Sequence, residues 1–183
     1  MSTFRRVVTG HDAAGRSIIA SDEAVTGTAV PGMPGVELTT LWGADGPLHY
    51  PDDGARPAFA TWFAPVGGFR LIEFVIGPEQ TAALDDRDPA ATQAEIQRLF
   101  PGLLDTMDPD VPGMHRSATV DLLYVCAGRI ILELDDGSRT ELRAGDVAVQ
   151  SGTMHAWRNP YAEPCRILGV LLGAHVTGPE TRG

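Results

Sequence analysis

Positive charge is scarce in this 183-residue chain, and long hydrophobic runs are absent. The sequence has 14 Arg and Lys residues against 24 Asp and Glu residues, which gives a formal net charge of −10 at pH 7. Because such a charge repels phosphate backbones and anionic lipids, we expect neither nucleic acids nor membrane surfaces as partners. No stretch of about 18 apolar residues is present, and no apolar run follows the arginines of MSTFRRVVTG. The sequence therefore predicts a cytoplasmic protein that binds a small molecule.

Cysteine is also rare, whereas glycine and proline are abundant. The two cysteines, Cys126 and Cys165, are expected to be free, packed thiols without a catalytic role. The 21 glycines and 14 prolines indicate many turns between short strands. Together with a length typical of one domain, this composition predicts an all-β protein in which residues 1–183 form a single domain.

The first half of the chain predicts strands followed by one helix. In residues 1–78, short apolar runs broken by Gly and Pro predict strands at Phe4–Val8, Ser17–Ala20, Val36–Trp42, Phe59–Phe63 and Phe69–Ile76. In residues 88–104, apolar residues recur at helical spacing behind Asp88 as N-cap and Pro89 as first helical residue. The acidic segment DTMDPDVPG that follows is interpreted as a linker.

Residues 112–173 predict a compact β unit. The expected strands are Leu122–Cys126, Ile130–Leu134, Arg139–Leu142, Val147–Val149, His155–Asn159 and Arg166–Leu172, with a tight turn at 135–138. Even spacing with short turns favours a small jelly roll or barrel, because a closed sheet leaves no exposed strand edges. We expect the strands of residues 1–78 to brace this unit.

A long loop over residues 43–56 contains His49 and Tyr50. Its Gly, Pro and Asp content predicts irregular structure, and loops of this length are often functional. If the loop reaches over a site, either side chain could supply a proton there. His49 and Tyr50 are therefore candidate catalytic residues.

Three residues combine metal-binding chemistry with positions at or near strands: His115, Asp121 and His155. Side chains alternate across a strand, so Asp121 shares a face with Leu123 and Val125. An ionisable group that points into an apolar barrel is costly unless it is paired or binds a metal. Two imidazoles and a carboxylate that meet there fit a divalent cation. The alternative is that the two histidines are hydrogen-bonded core residues.

Two motifs in residues 112–173 resemble those of the cupin superfamily. The first motif of that family has His-x-His, an acid, and a glycine separated from the acid by six residues; the second has glycine, Pro-x-Gly, His and Asn. The matching segments here run from His115 through Ser117 and Asp121 to Gly128, and from Gly145 through Gly152 and His155 to Asn159. The resemblance implies a cupin-type jelly-roll barrel with an N-terminal β extension and one helix.

This resemblance also implies a ligand set and a pocket. Ser117 stands where the family has its second histidine, and Asp121 stands where the family usually has glutamate. The implied metal site therefore has two histidines and one carboxylate, a set that leaves coordination positions open. The implied metal is Zn, Fe, Mn or Ni, and the implied pocket residues are Ser117, Met154, Trp157 and Asn159.

Three functions are consistent with these residues. The first is a lyase or decarboxylase in which the metal acts as a Lewis acid on a small oxygenated acid or polyketide-like metabolite. The second is an Fe(II)-dependent dioxygenase at the same site. The third is a non-catalytic cupin that binds a small ligand. We rank the enzymes first because the ligand set leaves open positions, and we expect a homodimer through the outer face of the sheet.

Overall fold

The structure is a computed structural model that describes residues 2–79 and 88–177. Within those ranges it has one α-helix, α1 (Pro89–Leu99), and eleven strands. The strands are β1 (Thr3–His11), β2 (Ser17–Thr26), β3 (Thr28–Ala29), β4 (Val36–Ala44), β5 (Phe69–Ile76), β6 (Thr119–Ala127), β7 (Arg129–Leu134), β8 (Arg139–Arg143), β9 (Val147–Ser151), β10 (His155–Arg158) and β11 (Cys165–Gly173). The predicted all-β class is confirmed.

Two antiparallel sheets form a jelly roll around the core. The larger sheet has the order β3-β4-β5-β11-β6-β9, and the smaller one has the order β10-β7-β8. Strand β11 pairs with β5 on one side and with β6 on the other. Strands β3, β4 and β5 therefore complete the same sheet as β6, β9 and β11, whereas β1 and β2 pair with each other in a separate two-stranded sheet. The core joins both sheets, since Phe74 of β5, Val125 of β6 and Ile130 of β7 belong to one buried cluster.

Strand β6 shows how the sequence pattern separates core from surface. Leu123 and Val125 are buried, whereas Leu122, Tyr124 and Cys126 on the opposite face are exposed. The predicted face of Asp121 is thus the inner face, because side chains alternate along a strand. With Val147, Val149 and Leu172, the outer residues make an exposed apolar patch. The expected homodimer through this face stays a prediction.

Helix α1 begins as predicted and ends early. The Asp88 side chain accepts a hydrogen bond from the N–H of Ala90, and Pro89 is the first helical residue. The helix ends at Leu99 rather than at 104, because Phe100 precedes Pro101 and a residue before proline avoids helical geometry. A short 3₁₀ turn follows at Leu104–Thr106. No helix in the described part of the chain is long and apolar enough to cross a membrane.

The strand predicted at Phe59–Phe63 is wrong. These residues form bends, and Trp62 instead packs edge-on against Phe100, with 5.2 Å between ring centroids. The backbone N–H of Trp62 donates to the carbonyl of Pro101 at 2.8 Å. Trp62 is thus buried against the end of α1 without a strand partner, whereas Phe59 and Phe63 are half-buried and Ala60 is exposed.

Candidate functional site

A pocket of about 180 Å³ lies against the inner face of the larger sheet and β10. Its ionisable lining groups are His115, Asp121 and His155, the three residues that the sequence singled out. The rest of the lining is apolar or glycine: Val30, Met33, Val36, Leu38, Trp62, Phe63, Ile72, Phe74, Ile76, Leu103, Met107, Gly113, Leu123, Trp157 and Leu171. The site therefore has an apolar wall around one cluster of potential ligands.

Backbone hydrogen bonds bring the two histidines together. The N–H of His115 donates to the carbonyl of His155 at 2.8 Å, and the N–H of His155 donates to the carbonyl of His115 at 3.0 Å. The ring centroids are 4.2 Å apart and the ring planes are tilted by 49°. The segment before β6 and strand β10 thus place both imidazoles in the pocket.

Each imidazole is oriented by a backbone carbonyl. Nδ1 of His115 lies 3.1 Å from the carbonyl oxygen of Gly113, and Nδ1 of His155 lies 2.9 Å from that of Thr153. Because a carbonyl can only accept, Nδ1 carries the proton in both neutral rings. The Nε2 atom of each ring then keeps its lone pair, which is the form that binds metals.

Burial keeps both rings neutral. Desolvation first, and the charge of a protonated His115 second, lower the pKa of His155 to about 4. Desolvation also lowers the pKa of His115. Both imidazoles are therefore uncharged at neutral pH, so no proton has to leave before Nε2 can bind a cation.

Asp121 faces the same pocket with an unsatisfied oxygen. Its side chain is buried, and within the described residues Oδ1 has no hydrogen-bond partner. Desolvation raises the pKa of Asp121 to about 6, although a hydrogen bond with the Thr119 side chain opposes this rise. An unpaired buried carboxylate oxygen is costly, so this atom is suited to a ligand that enters the pocket.

The donor atoms of His115, Asp121 and His155 are of the types that bind a divalent cation, but the three side chains do not converge on one position. Among residues 2–79 and 88–177, no group of three or more His, Cys, Asp or Glu side chains is close enough to hold a metal ion. The two imidazoles form a preformed pair. Asp121 lines the pocket beside them and would complete the set through a side-chain movement or a water.

One of the four predicted pocket residues lines the cavity. Trp157 stands edge-on to His155 at 5.7 Å and packs against Phe74 at 5.9 Å between ring centroids. Ser117 is buried and hydrogen-bonds to Thr119 at 2.7 Å. Ser117 and Met154 are not among the lining residues. Ser117 acts instead as a structural partner of the strand that carries Asp121.

Asn159 has a structural role outside the pocket. It is fully buried, and its Nδ2 donates to the carbonyls of Ile76 at 2.8 Å and Glu163 at 2.9 Å. Its Oδ1 accepts from the N–H of Tyr161 at 3.1 Å. These bonds use the whole amide to close the turn between β10 and β11, which explains the residue without a substrate.

His49 and Tyr50 are exposed and do not line the pocket. Tyr50 is 86% exposed and stands edge-on to His11, with 5.3 Å between ring centroids. Their loop lies near β1 rather than over the site. The structure therefore gives neither residue a position from which it could exchange a proton in the pocket.

Sequence reasoning missed the loop residues that close the pocket. Met107 belongs to the segment interpreted as a linker, yet it lines the cavity and forms an isolated β-bridge with His115. Leu103, Trp62 and Phe63 also line it from outside the strands. Their hydrophobicity was the available signal, and hydrophobicity alone does not separate a pocket wall from core.

The pocket and its two motif segments lie in a part of the chain that matches a known family. Residues 104–171 match the sequence model of the family described as Cupin domain. This part of the chain therefore carries a cupin domain. The resemblance drawn from the two motifs is thereby confirmed, as is the jelly-roll fold that it implied.

Several fungal cupin proteins are similar to this chain. The cupin-domain-containing oxidoreductase fogC of Aspergillus ruber is 26% identical over 196 residues, covering 100% of this chain and 80% of that protein. The cupin-domain-containing oxidoreductase srdB of Neurospora crassa is 43% identical over 60 residues, covering 32% of this chain and 31% of that protein. The oryzines biosynthesis cluster protein J of Aspergillus oryzae is 49% identical over 49 residues, 27% of each chain. This chain therefore matches about a third or less of the length of srdB and of protein J.

Proposed function

We propose that this cupin is a metal-dependent enzyme that converts a small, largely apolar metabolite bound through one oxygen-bearing group. The observation that carries this proposal is the pocket, in which two imidazoles and one carboxylate are the only ionisable groups among the described lining residues and the wall around them is apolar. Enzyme pockets commonly combine apolar walls with a few convergent polar groups. The reacting end of a substrate would lie beside the two imidazoles and the carboxylate, because these groups are in one part of the pocket.

His115, Asp121 and His155 would hold the metal. The two Nε2 atoms are free because each Nδ1 is bonded to a carbonyl, and the carboxylate would neutralise part of the charge of the cation. A bound divalent cation supplies Lewis-acid chemistry that polarises a carboxylate or carbonyl oxygen. Since three protein ligands leave coordination positions open, the substrate could occupy the remainder.

The lining residues indicate the class of substrate. No arginine is among the described residues that line the pocket, and the chain has 14 arginines and no lysine. A phosphate or a dicarboxylate would have no basic partner within the described lining. An acid or enolisable ketone with an aromatic or aliphatic body suits it better, because Trp157, Phe74 and Leu123 would contact that body.

The first candidate reaction is a non-redox lyase or decarboxylase step. It requires polarisation of one oxygen-bearing group and exclusion of water from the rest of the substrate. Leu103 and Met107 support that exclusion, because they add apolar surface beside the histidines from outside the sheets. This reaction needs no co-substrate in addition to the groups of the pocket.

The second candidate is an oxidoreductase, and the similar proteins favour it. Both srdB and fogC bear the name cupin-domain-containing oxidoreductase, and fogC aligns with the whole of this chain. In that case the same two histidines and Asp121 would hold Fe(II), and an oxidant such as O₂ would enter with the substrate. The two reactions differ in whether oxygen is consumed.

The test starts with metal content and ends with oxygen uptake. Protein purified without chelators should contain about one Zn, Mn, Fe or Ni per chain by elemental analysis. His155→Ala should lose most of it, whereas His175→Ala, which changes an exposed histidine, should keep it. Full occupancy in His155→Ala would contradict the site.

The reaction is then separated with a panel of small aromatic and polyketide-like acids. Turnover without oxygen uptake supports the lyase, and turnover with stoichiometric uptake supports the oxidoreductase. Tight binding of a panel member without turnover under either condition would favour a ligand-binding cupin and contradict both enzymes.

A further inference from the structure

The turn that precedes His115 lies at the surface and is tied to the barrel by an arginine. Pro112 and Gly113 are both exposed, so core packing does little to fix them. The guanidinium of Arg158, on β10, donates from Nη1 to the carbonyl of Pro112 at 2.7 Å. Its Nε donates to the carboxylate of Glu133, on β7, also at 2.7 Å. Arg158 therefore links the turn to the smaller sheet.

The position of this turn decides the orientation of the His115 ring. The carbonyl next to that of Pro112 is that of Gly113, and it accepts from Nδ1 of His115 at 3.1 Å. The turn is closed by a hydrogen bond from the N–H of Met114 to the carbonyl of Val111 at 3.0 Å. A shift of the Pro112 carbonyl would therefore also move the Gly113 carbonyl, which accepts the hydrogen bond from His115.

We infer that Arg158 is a positioning residue for His115, acting through the Pro112–Gly113 turn. This inference rests on the proposed function, in which His115 is a metal ligand. By holding the turn, Arg158 keeps the Gly113 carbonyl where it fixes the proton on Nδ1 and leaves Nε2 directed at the pocket. Groups that orient a ligating histidine typically change metal affinity by about 10-fold to 100-fold when they are removed.

The chain supplies a matched control in Arg139. Its guanidinium donates to the other carboxylate oxygen of Glu133 at 2.9 Å, and its side chain is 62% exposed. Arg139→Ala removes one partner of Glu133 and leaves the bond from Arg158 to Pro112 in place. Arg158→Lys keeps the positive charge but lacks the planar fork that reaches Glu133 and Pro112 together.

The first measurement is metal affinity of the purified full-length chain. Metal-free protein is titrated with Zn²⁺ and with Co²⁺ in competition with a chromophoric chelator. We expect Arg158→Ala to bind about 10-fold more weakly than wild type and Arg158→Lys to lie between the two. Arg139→Ala should bind as wild type does. An equal loss in Arg139→Ala would assign the effect to the charge of Glu133 and overturn the inference.

The second measurement needs no metal. Nitrogen chemical shifts of the imidazoles in metal-free, ¹⁵N-labelled protein report which ring nitrogen carries the proton. Wild type and Arg139→Ala should show His115 protonated at Nδ1, whereas Arg158→Ala should show a mixture of the two tautomers. An unchanged His115 tautomer in Arg158→Ala, in protein whose His155 signals remain native, would overturn the inference.

The two measurements also separate this inference from the proposed function. If wild type binds no divalent metal and the His115 tautomer still depends on Arg158, the proposed function fails and the positioning role stands. If wild type binds metal and neither affinity nor tautomer responds to Arg158, the positioning role fails and the proposed function stands.

Discussion

His115 and His155 are joined by reciprocal backbone hydrogen bonds of 2.8 and 3.0 Å, although 39 residues lie between them. The side chains repeat this symmetry, because each Nδ1 is bonded to the carbonyl two residues before its own histidine. Backbone contacts therefore set the tautomer, the spacing and the direction of both rings. The fold itself therefore brings the two rings together.

The ionisable groups of the pocket predict opposing effects of pH on the stability of the metal-free protein. The unfolded chain protonates histidine below about 6.5, whereas folded His155 stays neutral down to about 4, so stability is lost as pH falls through this window. The lowered pKa of His115 acts in the same direction. Asp121 acts oppositely, because its folded pKa of about 6 lies above its ordinary value of 3.8, so its contribution to stability is lost as pH rises.

Denaturant unfolding of the metal-free protein between pH 4 and 7 checks this balance. Asp121→Asn removes the opposing carboxyl, so its free energy of unfolding should rise more steeply with pH than that of wild type. His155→Gln should show a shallower rise, because one depressed histidine is gone. Parallel profiles for wild type and Asp121→Asn would show that the pKa of this carboxyl is not raised.

Arg70 is predicted to stabilise the loop that closes the pocket. Its side chain is fully buried, and its guanidinium donates to the carbonyls of Ala44 at 3.0 Å and Thr61 at 2.9 Å and to the carboxylate of Asp45. Thr61 directly precedes Trp62 and Phe63, which line the pocket. Asp45 is partly exposed, so the main cost of removing Arg70 is that the carbonyls of Ala44 and Thr61 lose their donor, at about 1–3 kcal/mol for each buried acceptor left unpaired.

Arg70→Met should therefore lower the free energy of unfolding by about 3 kcal/mol. The control is Arg5→Met, which breaks an exposed pair with Asp22 and should leave the free energy of unfolding close to that of wild type. Both values come from denaturant titration of the purified variants. If the two variants lost the same free energy of unfolding, Arg70 would contribute no more to stability than an exposed arginine does.

A chain that starts at Pro112 is predicted not to fold. It would lack β5, which pairs with β11 from Phe69 to Ile76, and it would lose Ile72, Phe74 and Trp62 from the core. Strand β11 would then expose an unpaired edge and an apolar face. Size-exclusion chromatography and thermal unfolding should show aggregation or no cooperative transition. A soluble, cooperative fragment would contradict the prediction that residues 1–183 form one domain.

The sequence predicted the strands well where alternation was strong. Strand β5 has the predicted bounds, and exposed Leu122 beside buried Leu123 follows the predicted faces. The strand prediction failed at Phe59–Phe63, where an apolar run packs without strand pairing. Hydrophobicity does not indicate which partner a residue packs against. Asn159 was predicted to line the pocket for a related reason. A residue at a motif position can stabilise a turn instead of contacting a ligand, as the bonds of Asn159 show.

The contact between Arg158 and the Pro112 carbonyl could not be predicted from the sequence, for a different reason. A carbonyl acceptor such as that of Pro112 has no signature in the sequence, and it lies 46 residues from Arg158. The role of Met107 was hidden in the same way, because its segment is acidic and rich in proline and was interpreted as a linker. Long-range contacts made by irregular segments are fixed by the whole fold.

The last prediction concerns Asp121, whose Oδ1 is buried without a partner in the described residues although two histidines lie in the same pocket. Asp121→Asn keeps the shape of the side chain and removes its charge. If the carboxylate binds the metal, this variant should bind Zn²⁺ about 10-fold or more weakly and lose activity in parallel.

Two other outcomes assign Asp121 differently, and one titration with one turnover assay separates them. If the carboxylate orients a water or the substrate rather than the metal, metal affinity should persist while turnover falls. If both persist, Asp121 has no part in the site, and two histidines alone would be too few for the proposed ligand set. Thr119→Val is the matched control, because it removes the hydroxyl beside Asp121 and leaves the carboxylate and its charge in place. A loss of metal in Thr119→Val as large as in Asp121→Asn would trace the effect to the packing of β6, because that variant keeps the charge.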